Sequence, residues 1–335
     1  MKKILLFVLI LCFAASVFTV SAATFEDMPN DWSTNALQHA VANGLLQGTD
    51  NKLLPKDKLT RAQMATILVR ALGATEKGDI SAFTDVKTTS WYYDSMAISY
   101  KMGIFRGDGA GKMNPDNAIT RQEAFVVLSR AFSLSSSTTS GLNKFTDSAD
   151  VASWAKEGIE ALVINGYVGG SNGKLNPNAN ITRAEFAQVM YNLVKTYGNV
   201  AEDIPTAGTV IGNVIVRGNI TKLSDLNIEG DLIIGDGVPS NFSLENVNVS
   251  GRIVIRAKGD FSYDGTAGEL ILASENSSII ISADSTVSKI TIVSDTSSFE
   301  TLTNGSSTPS KPSIPSKPVT PTNPDPAEDI WTNFH

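Results

Sequence analysis

The sequence of 335 residues has few of the side chains that most catalytic and metal sites use. It contains one cysteine, Cys12, and two histidines, His39 and His335. Because Cys12 lies in an apolar N-terminal run, we expect a mature chain without cysteine, which excludes disulfide bonds and thiol chemistry. Triads that use histidine and histidine-rich metal sites are hard to build from the two that remain. Stability must therefore come from hydrophobic cores.

The N-terminus has the pattern of a secretory signal peptide. After two lysines, an uncharged and mostly apolar run extends from Ile4 to Val20, and small residues precede a cleavage site after Ala22. The alternative is a retained membrane anchor, but the run is at the lower limit for spanning a bilayer and no basic cluster follows it. Leu11 before Cys12 argues against lipidation, which needs a small residue there. We predict a secreted protein with no membrane contact after cleavage.

Positive charge is also scarce. Removing Lys2 and Lys3 with the signal leaves 25 of the 27 basic side chains against 34 acidic ones, a net charge of −9. No run of lysine or arginine occurs. The sequence therefore predicts no nucleic-acid partner.

Three copies of one unit lie one after another between Phe25 and Val200. In each copy a Phe-x-Asp, a Trp, a Gly, a Pro and a Thr-Arg pair follow in the same order. Trp to Gly is 12 positions in every copy, and Gly to Thr-Arg is 16, 17 and 16 positions. The markers are Trp32, Gly44, Pro55 and Arg61, then Trp91, Gly103, Pro115 and Arg121, then Trp154, Gly166, Pro177 and Arg183.

Each copy predicts a helix, a loop and a second helix. The first helix follows the Trp and ends at the Gly, which supplies a left-handed stop. The second begins at the Thr with Gln or Glu three residues later, as in a capping box. Its apolar residues, such as Met64, Ile67 and Leu68, form one stripe. Because no copy has enough core alone, we predict an all-α pseudo-threefold unit.

This pattern resembles the S-layer homology (SLH) repeat. The resemblance is carried by Phe-x-Asp, Trp, Gly-(Ile/Leu/Tyr)-x-x-Gly, Pro and Ile/Leu-Thr-Arg-Ala-Glu, and it covers about residues 23–200. It implies a three-pronged helical trimer that binds secondary cell-wall polymers, typically carrying pyruvylated N-acetylmannosamine, in grooves between the prongs. It also implies that Arg61, Arg121 and Arg183 contact the acidic groups of the polymer.

Physical chemistry singles out the same arginines. A cation in the first turn of an exposed helix is disfavoured by about 0.3–1 kcal/mol, yet all three copies have one. An anion bridging the guanidinium and free helix N–H groups would turn this position into a binding site. The alternative is a salt bridge to a neighbouring repeat that holds the trimer together. Both roles are compatible.

The tryptophans and loop glycines complete the predicted glycan site. Each Trp either anchors its helix to the core or stacks on a sugar, and each glycine either lets the loop approach the sugar or supplies a positive φ. Gln63 stands where an acid is usual, so the three grooves need not be used equally. We predict no catalytic residue, metal or cofactor. The predicted ligand-binding residues are Arg61, Arg121, Arg183, Trp32, Trp91, Trp154, Gly48, Gly107 and Gly170.

After Val200, short Ile/Val/Leu runs separated by Gly, Asn, Asp and Ser replace the helical pattern. Four residues of such runs recur at similar intervals, namely Leu232, Ile253, Leu270 and Ile290. This spacing indicates turns of a short parallel β-solenoid, with a β-sandwich as the alternative. It is similar to β-solenoid segments that follow SLH repeats in other surface proteins.

Two other functions are alternatives to wall anchoring alone. One is a wall-anchored, polysaccharide-degrading enzyme with its site in the β-domain, which would use acidic side chains. The candidate acids fall at turn positions where Asp is common, namely Asp231, Asp236, Asp260 and Asp264. No carboxylate pair has a distinctive spacing. The other function is a self-assembling lattice protein, which the short solenoid disfavours. We predict a non-enzymatic protein of the bacterial cell wall and surface whose partner is a pyruvylated secondary cell-wall polysaccharide, with peptidoglycan as the alternative.

The predicted architecture is multidomain. A segment with seven prolines, residues 309–326, predicts a semi-rigid extended linker, so either a short tail or a further domain follows it. The predicted parts are the signal peptide (1–22), SLH repeats at 23–79, 80–140 and 141–200, a β-solenoid-like domain (205–303), and a Pro/Ser/Thr-rich linker and tail (304–335).

Overall fold

The computed structural model describes residues 25–138 and 140–302. The predicted signal peptide and the predicted proline-rich linker and tail lie outside the described residues. Within those ranges, paired α-helices precede an eleven-stranded parallel sheet. This confirms the predicted fold class, helical repeats followed by a β-solenoid. No helix in the described ranges is long and apolar enough to cross a membrane.

The helices come in pairs, one pair per repeat. The first helices are α1 (Thr34–Ala42), α3 (Tyr93–Lys101) and α5 (Lys156–Ile164), and the second are α2 (Arg61–Leu72), α4 (Arg121–Ala131) and α6 (Arg183–Leu193). Short 3₁₀ helices span Ser140–Lys144, Ser148–Asp150, Ser153–Ala155 and Ala201–Asp203. The glycine after each first helix has a φ of 67°, 72° or 74°. Each second helix begins with a complete capping box.

A cycle of hydrogen bonds joins the three repeats at their pseudo-threefold axis. The amide of Leu59 donates to Ile181, that of Ile181 donates to Ile119, and that of Ile119 donates back to Leu59. All three side chains are fully buried. Around this centre α2 packs against α3, α4 against α5 and α6 against α1. Each repeat therefore contacts both others, and the helical half closes on itself.

The strands stack turn upon turn into three parallel columns. They are β1 (Thr196–Gly198), β2 (Gly208–Ile211), β3 (Val214–Val216), β4 (Lys222–Glu229), β5 (Leu232–Ile234), β6 (Asn241–Ile255), β7 (Gly259–Tyr263), β8 (Thr266–Leu272), β9 (Ser277–Ile281), β10 (Thr286–Ile292) and β11 (Ser298–Thr301). The first column runs through β1, β3, β5 and the C-terminal parts of β6, β8 and β10. It begins before residue 205, because β1 is its first strand.

The register explains the spacing in the sequence. Leu232 pairs with Ile253, Ile253 with Leu270, and Leu270 with Ile290. The intervals between these four residues are therefore single turns of the solenoid. The sandwich alternative is wrong, because all the strand pairs are parallel.

From β3 to the C-terminal part of β8, the first column is buried on both of its faces. In the triplet Val214–Val216, the outer two residues belong to the solenoid core, while Ile215 packs with the helical core. Ile233, Val254 and Ile271 repeat this arrangement on the next turns. A strand covered on both faces needs apolar residues at successive positions, which is why these triplets do not alternate. The solenoid and the helical unit thus share a continuous apolar interface.

Polar side chains of the solenoid bind the C-terminal ends of the helices across this interface. Helix C-termini carry carbonyls without intrahelical partners and a partial negative charge, so donors and cations are stabilising there. Arg217 donates to the carbonyls of Asn43 and Arg70, Arg256 to those of Met102 and Ala131, and Asn213 to that of Leu193. Arg252 also donates to the carbonyls of Phe132 and Ser133, so solenoid side chains serve the helix ends of every repeat.

Candidate functional site

A cleft of about 360 Å³, called the first groove here, lies where the three repeats meet. Residues 45–49 and one face of α2 form two walls. That face carries Gln63, Thr66, Ile67 and Arg70, at the spacing that places residues on one side of a helix. Repeat 2 contributes Trp91 and repeat 3 contributes Arg183. The groove therefore combines residues that are distant in the sequence, such as Gln47 and Arg183, which are 136 positions apart.

Because α4 packs against α5 and α6 against α1 as α2 packs against α3, we expect two related grooves. By position in the repeats, the second would lie along α4 with Arg61 and Trp154, and the third along α6 with Arg121 and Trp32. Each arginine belongs to one repeat, and its side chain crosses to the next repeat of the cycle, whose second helix forms the wall of the groove. The predicted arginines thus face a neighbouring repeat and not their own.

The three arginines make the same contact with the next repeat. The Nε–H of Arg61 donates to the carbonyl of Met113 at 2.8 Å, that of Arg121 to Leu175 at 2.7 Å, and that of Arg183 to Leu53 at 2.8 Å. The alternative considered from the sequence was a salt bridge to a neighbouring repeat, and the contact that all three arginines share is instead a hydrogen bond to a main-chain carbonyl of that repeat. Arg183 also lines the first groove, so clamping and lining a groove are compatible in one residue.

The helix N–H groups near these arginines are occupied. The amides of Arg61, Arg121 and Arg183 donate to carbonyls of the adjoining repeat, as do the amides that follow them. The third amide of each helix donates to the capping threonine. These amides are not available to an anion, so the expectation that they are free is wrong. Any anion at these helix ends would be bound by side chains.

The guanidinium groups are largely withdrawn from solvent. Only 3% of Arg61 is exposed, and burial lowers its pKa to about 10, although the nearby Glu123 opposes that change. Burial also lowers the pKa of Arg121 and Arg183. The guanidinium of Arg61 lies over the ring of Phe105, 5.4 Å from its centroid. The pKa of Arg61 still leaves it charged at neutral pH.

The three tryptophans differ although their spacing is the same. Trp32 is 61% exposed and Trp91 is 66% exposed, so neither ring anchors its helix in the core. Trp154 is half-buried and packs against the helical core. Trp91 borders the first groove beside the α2 face. Stacking on a sugar stays a prediction, and the exposed rings of Trp32 and Trp91 are accessible for it.

The loop glycines are required by the phenylalanine of the Phe-x-Asp motif. A Cβ on Gly48 would lie 2.1 Å from a ring carbon of Phe25, and one on Gly107 would lie 2.2 Å from the ring of Phe83. Gly170 has the same relation to Phe145, at 2.6 Å, and it alone of the three has a positive φ, 68°. Packing thus accounts for these glycines, and their predicted contact with glycan remains a prediction.

The aspartate of the Phe-x-Asp motif holds the segment that receives the arginine. Asp27 accepts hydrogen bonds from the amides of Leu53 and Leu54. Asp85 and Asp147 accept equivalent pairs of bonds. Burial alone would raise the pKa of Asp27, but these bonds hold that pKa below its ordinary value. The sequence signal for this link is that Phe-x-Asp and Thr-Arg occur together in every copy.

Three of the four acids considered for catalysis form ion pairs or hydrogen bonds within the solenoid. Asp231 forms an ion pair with Arg252 at 2.6 Å, and Asp236 forms one with Arg256 at 2.8 Å. Asp260 accepts a hydrogen bond from a serine on the next turn. In the part of the chain that the structure describes, no group of three or more His, Cys, Asp or Glu side chains is placed to hold a metal.

Comparison with known proteins matches the S-layer homology domain to residues 24–65, 82–125 and 144–187. The chain is 39% identical over 189 residues to the surface-layer 125 kDa protein of Lysinibacillus sphaericus, covering 54% of this chain and 16% of that protein. It is 30% identical over 203 residues to the S-layer protein sap of Bacillus anthracis, covering 59% and 25%. An amylopullulanase of Thermoanaerobacterium thermosulfurigenes is 29% identical over 182 residues, covering 53% and 10%. The chain thus spans a quarter or less of these relatives.

Three helix pairs closed into a cycle, with an arginine from each repeat crossing to the next, define a helical trimer with inter-repeat grooves. These repeats are S-layer homology repeats, and a β-solenoid follows them. The repeats and the similarity to S-layer proteins indicate a secreted protein of the cell surface or cell wall. They also support anchoring at the wall.

Proposed function

We propose that this protein is held non-covalently on the bacterial cell wall by an anionic, pyruvylated secondary cell-wall polysaccharide bound in the grooves between its SLH repeats. The observation that supports this most directly is the first groove. There a buried guanidinium and an exposed indole line the same cleft. These are the two chemical features that an acidic sugar needs.

The chemistry of the proposed ligand fits these side chains. A pyruvyl ketal carries one carboxylate per sugar, and a guanidinium binds a carboxylate through two parallel N–H bonds. The apolar face of a sugar ring can lie against an aromatic ring, whose polar N–H edge remains available. The mechanism is recognition without catalysis. The solenoid then acts as a spacer or as a surface presented to the outside.

Sedimentation with purified cell-wall sacculi tests this proposal. The full-length mature protein is mixed with intact sacculi and with sacculi whose secondary polymer has been removed by acid extraction. We expect co-sedimentation with the intact sacculi, loss of binding after extraction, and weaker binding as salt rises. Binding that survives extraction would make peptidoglycan the partner. An absence of binding would leave the arginines as clamps of the trimer.

A pair of variants separates recognition from folding. Arg183→Lys keeps the charge but loses the planar fork, so it should reduce binding to intact sacculi. Arg252→Lys is the matched control, because Arg252 also donates to main-chain carbonyls but lies at the solenoid interface. Binding that is unaffected by salt and by Arg183→Lys would contradict the proposed mechanism. Equal losses in both variants would indicate damage to the fold.

A further inference from the structure

The three groove arginines differ in their acidic partners. Arg61 lies 3.8 Å from a carboxylate oxygen of Glu123, and Arg121 lies 2.9 Å from one of Glu185. Arg183 forms no ion pair with a carboxylate among the described residues, although the charges of Asp57 and Asp27 partly oppose the lowering of its pKa by burial. Its guanidinium donates instead to the main-chain carbonyls of Leu53 and Gln47. Two of the three cations are therefore paired with an acid inside the protein, and the third is bound by neutral oxygens.

This difference arises at one position, the third residue of each second helix. Glu185 uses one carboxylate oxygen in its capping box and the other for Arg121. Glu123 divides its two oxygens in the same way between Thr120 and Arg61. Gln63 completes the capping box with its amide oxygen. Its remaining arm is an NH₂ group, which is a donor and cannot accept from an arginine.

The surroundings of Arg183 add to this asymmetry. The first groove is lined by Lys52, Lys58 and Arg70 as well as Arg183, and Asp57 is the acid that lines it. The net charge of its lining is therefore positive. An anion in this groove could bind the Arg183 guanidinium without displacing a carboxylate that is already paired with it. In the second and third grooves an anion would have to compete with Glu123 or Glu185 for the arginine.

We infer that the first groove is the principal site for the acidic group of the wall polymer, and that Gln63 sets this preference by leaving Arg183 without an ion-paired carboxylate. This inference rests on the proposed function. The second and third grooves then serve mainly to close the trimer, because Glu123 and Glu185 neutralise their arginines. Exchange of glutamine and glutamate at this one helix position should move the preference between grooves.

Calorimetric titration of the full-length mature protein tests the inference. The probe is pyruvylated N-acetylmannosamine, and N-acetylmannosamine without the ketal is the neutral reference. We expect one principal site per chain for the pyruvylated sugar. Gln63→Glu should weaken this site about tenfold or more, since a new carboxylate would pair with Arg183. Its melting temperature should be unchanged, because glutamate completes the same capping box in the other repeats.

Two further variants make the test sharp. Glu185→Gln should raise the number of sites toward two by freeing Arg121. Gln38→Glu is the matched control for added charge, because Gln38 is an exposed residue of α1, and it should bind like the unmodified protein. Three equal sites, or affinity unchanged by Gln63→Glu, would overturn the inference while sacculus binding still supported the proposed function. Loss of sacculus binding in the unmodified protein would instead remove the proposed function itself.

Discussion

The second helices are held at their two ends by different parts of the chain. At the N-termini, the first two amides donate to carbonyls of the adjoining repeat and the third donates to the capping threonine. At the C-termini, carbonyls accept from Arg217, Arg256 and Asn213 of the solenoid. The helical unit therefore supplies the hydrogen-bond partners at the N-terminal ends of these helices, and the solenoid supplies partners at their C-terminal ends.

This difference indicates that the solenoid contributes to the stability of the anchoring unit as well as extending from it. Ile215, Ile233, Val254 and Ile271 are buried together with residues of the helices. A fragment ending near residue 200 would leave the opposite side of that interface uncovered. Substitutions at the two ends should therefore lower the free energy of unfolding by different amounts.

The largest effect is expected for a charge in the middle of the interface. Val254 is fully buried between solenoid and helices, whereas Ile280, also the middle residue of an apolar triplet, is 46% exposed. Val254→Asp buries an unpaired carboxylate and should lower the free energy of unfolding by about 4 kcal/mol or more. Ile280→Asp should change it by about 0.5 kcal/mol. Urea unfolding measures both, and equal losses would show that the interface carries no stability.

A smaller loss is expected when an arginine at the interface is removed. Arg256→Ala leaves Asp236 without its ion-pair partner and should cost about 3 kcal/mol, since breaking a buried pair leaves an uncompensated charge. Asp236→Ala in the same chain should restore part of the loss. The control is Lys222→Ala, which breaks an exposed pair with Glu245 and should cost less than about 1 kcal/mol. A cost for Arg256→Ala no larger than the control would argue that the helix ends do not need the solenoid.

The sequence predicted the elements well, because their signals are local. Capping boxes, glycine stops and apolar triplets are each specified within a few residues, and all were found where expected. Which triplets face the helices was not predictable from the sequence. Ile279–Ile281 is as apolar as Leu232–Ile234, yet it lies in another column of the solenoid. Which column is covered depends on how the solenoid follows from α6, and that is a property of the whole fold.

The candidate site shows the same limit. The sequence singled out the three arginines, but their partners are more than 50 positions away, and only the cyclic packing brings them together. The carbonyls that occupy the helix amides also come from another repeat, which is why those amides were wrongly expected to be free. The Gln63 difference was visible in the sequence. Its consequence required knowing that this position faces Arg183 and not Arg61.

Substitution of a capping threonine tests the N-termini of the second helices, where all the hydrogen-bond partners come from the helical unit. Thr182 accepts a hydrogen bond from the amide of Glu185. Thr182→Ala should lower the free energy of unfolding by about 1 kcal/mol, the usual cost of losing a cap. The control is Thr66→Ala, because the Thr66 hydroxyl donates to the carbonyl one turn earlier in α2 and caps no helix end. Urea unfolding should show the smaller loss for Thr66→Ala, and the reverse order would argue against a capping role.

The smallest effect is expected from His39, at the junction of α1, α6 and the first solenoid strand. Its ring lies 5.1 Å from the ring of Tyr191 and 5.7 Å from that of Tyr197, and its Nε2–H donates to the carbonyl of Lys195. Burial lowers the pKa of His39, and the charges of Lys195 and Arg217 lower it further, although the hydrogen bond opposes them. The imidazole is therefore harder to protonate in the folded protein than in the unfolded chain.

Linkage gives the sign of the pH effect. Below the unfolded-state pKa of about 6.5 the unfolded chain binds more protons at His39 than the folded protein, so stability falls as pH falls through that window and stops falling below the folded pKa. His39→Gln keeps a donor for the Lys195 carbonyl but does not titrate. Urea midpoints at neutral and mildly acidic pH should therefore drop more in the unmodified protein than in the variant. Carboxylates and His335 are common to both proteins and cancel in the difference, so parallel pH profiles would show that the junction tolerates a charged imidazole.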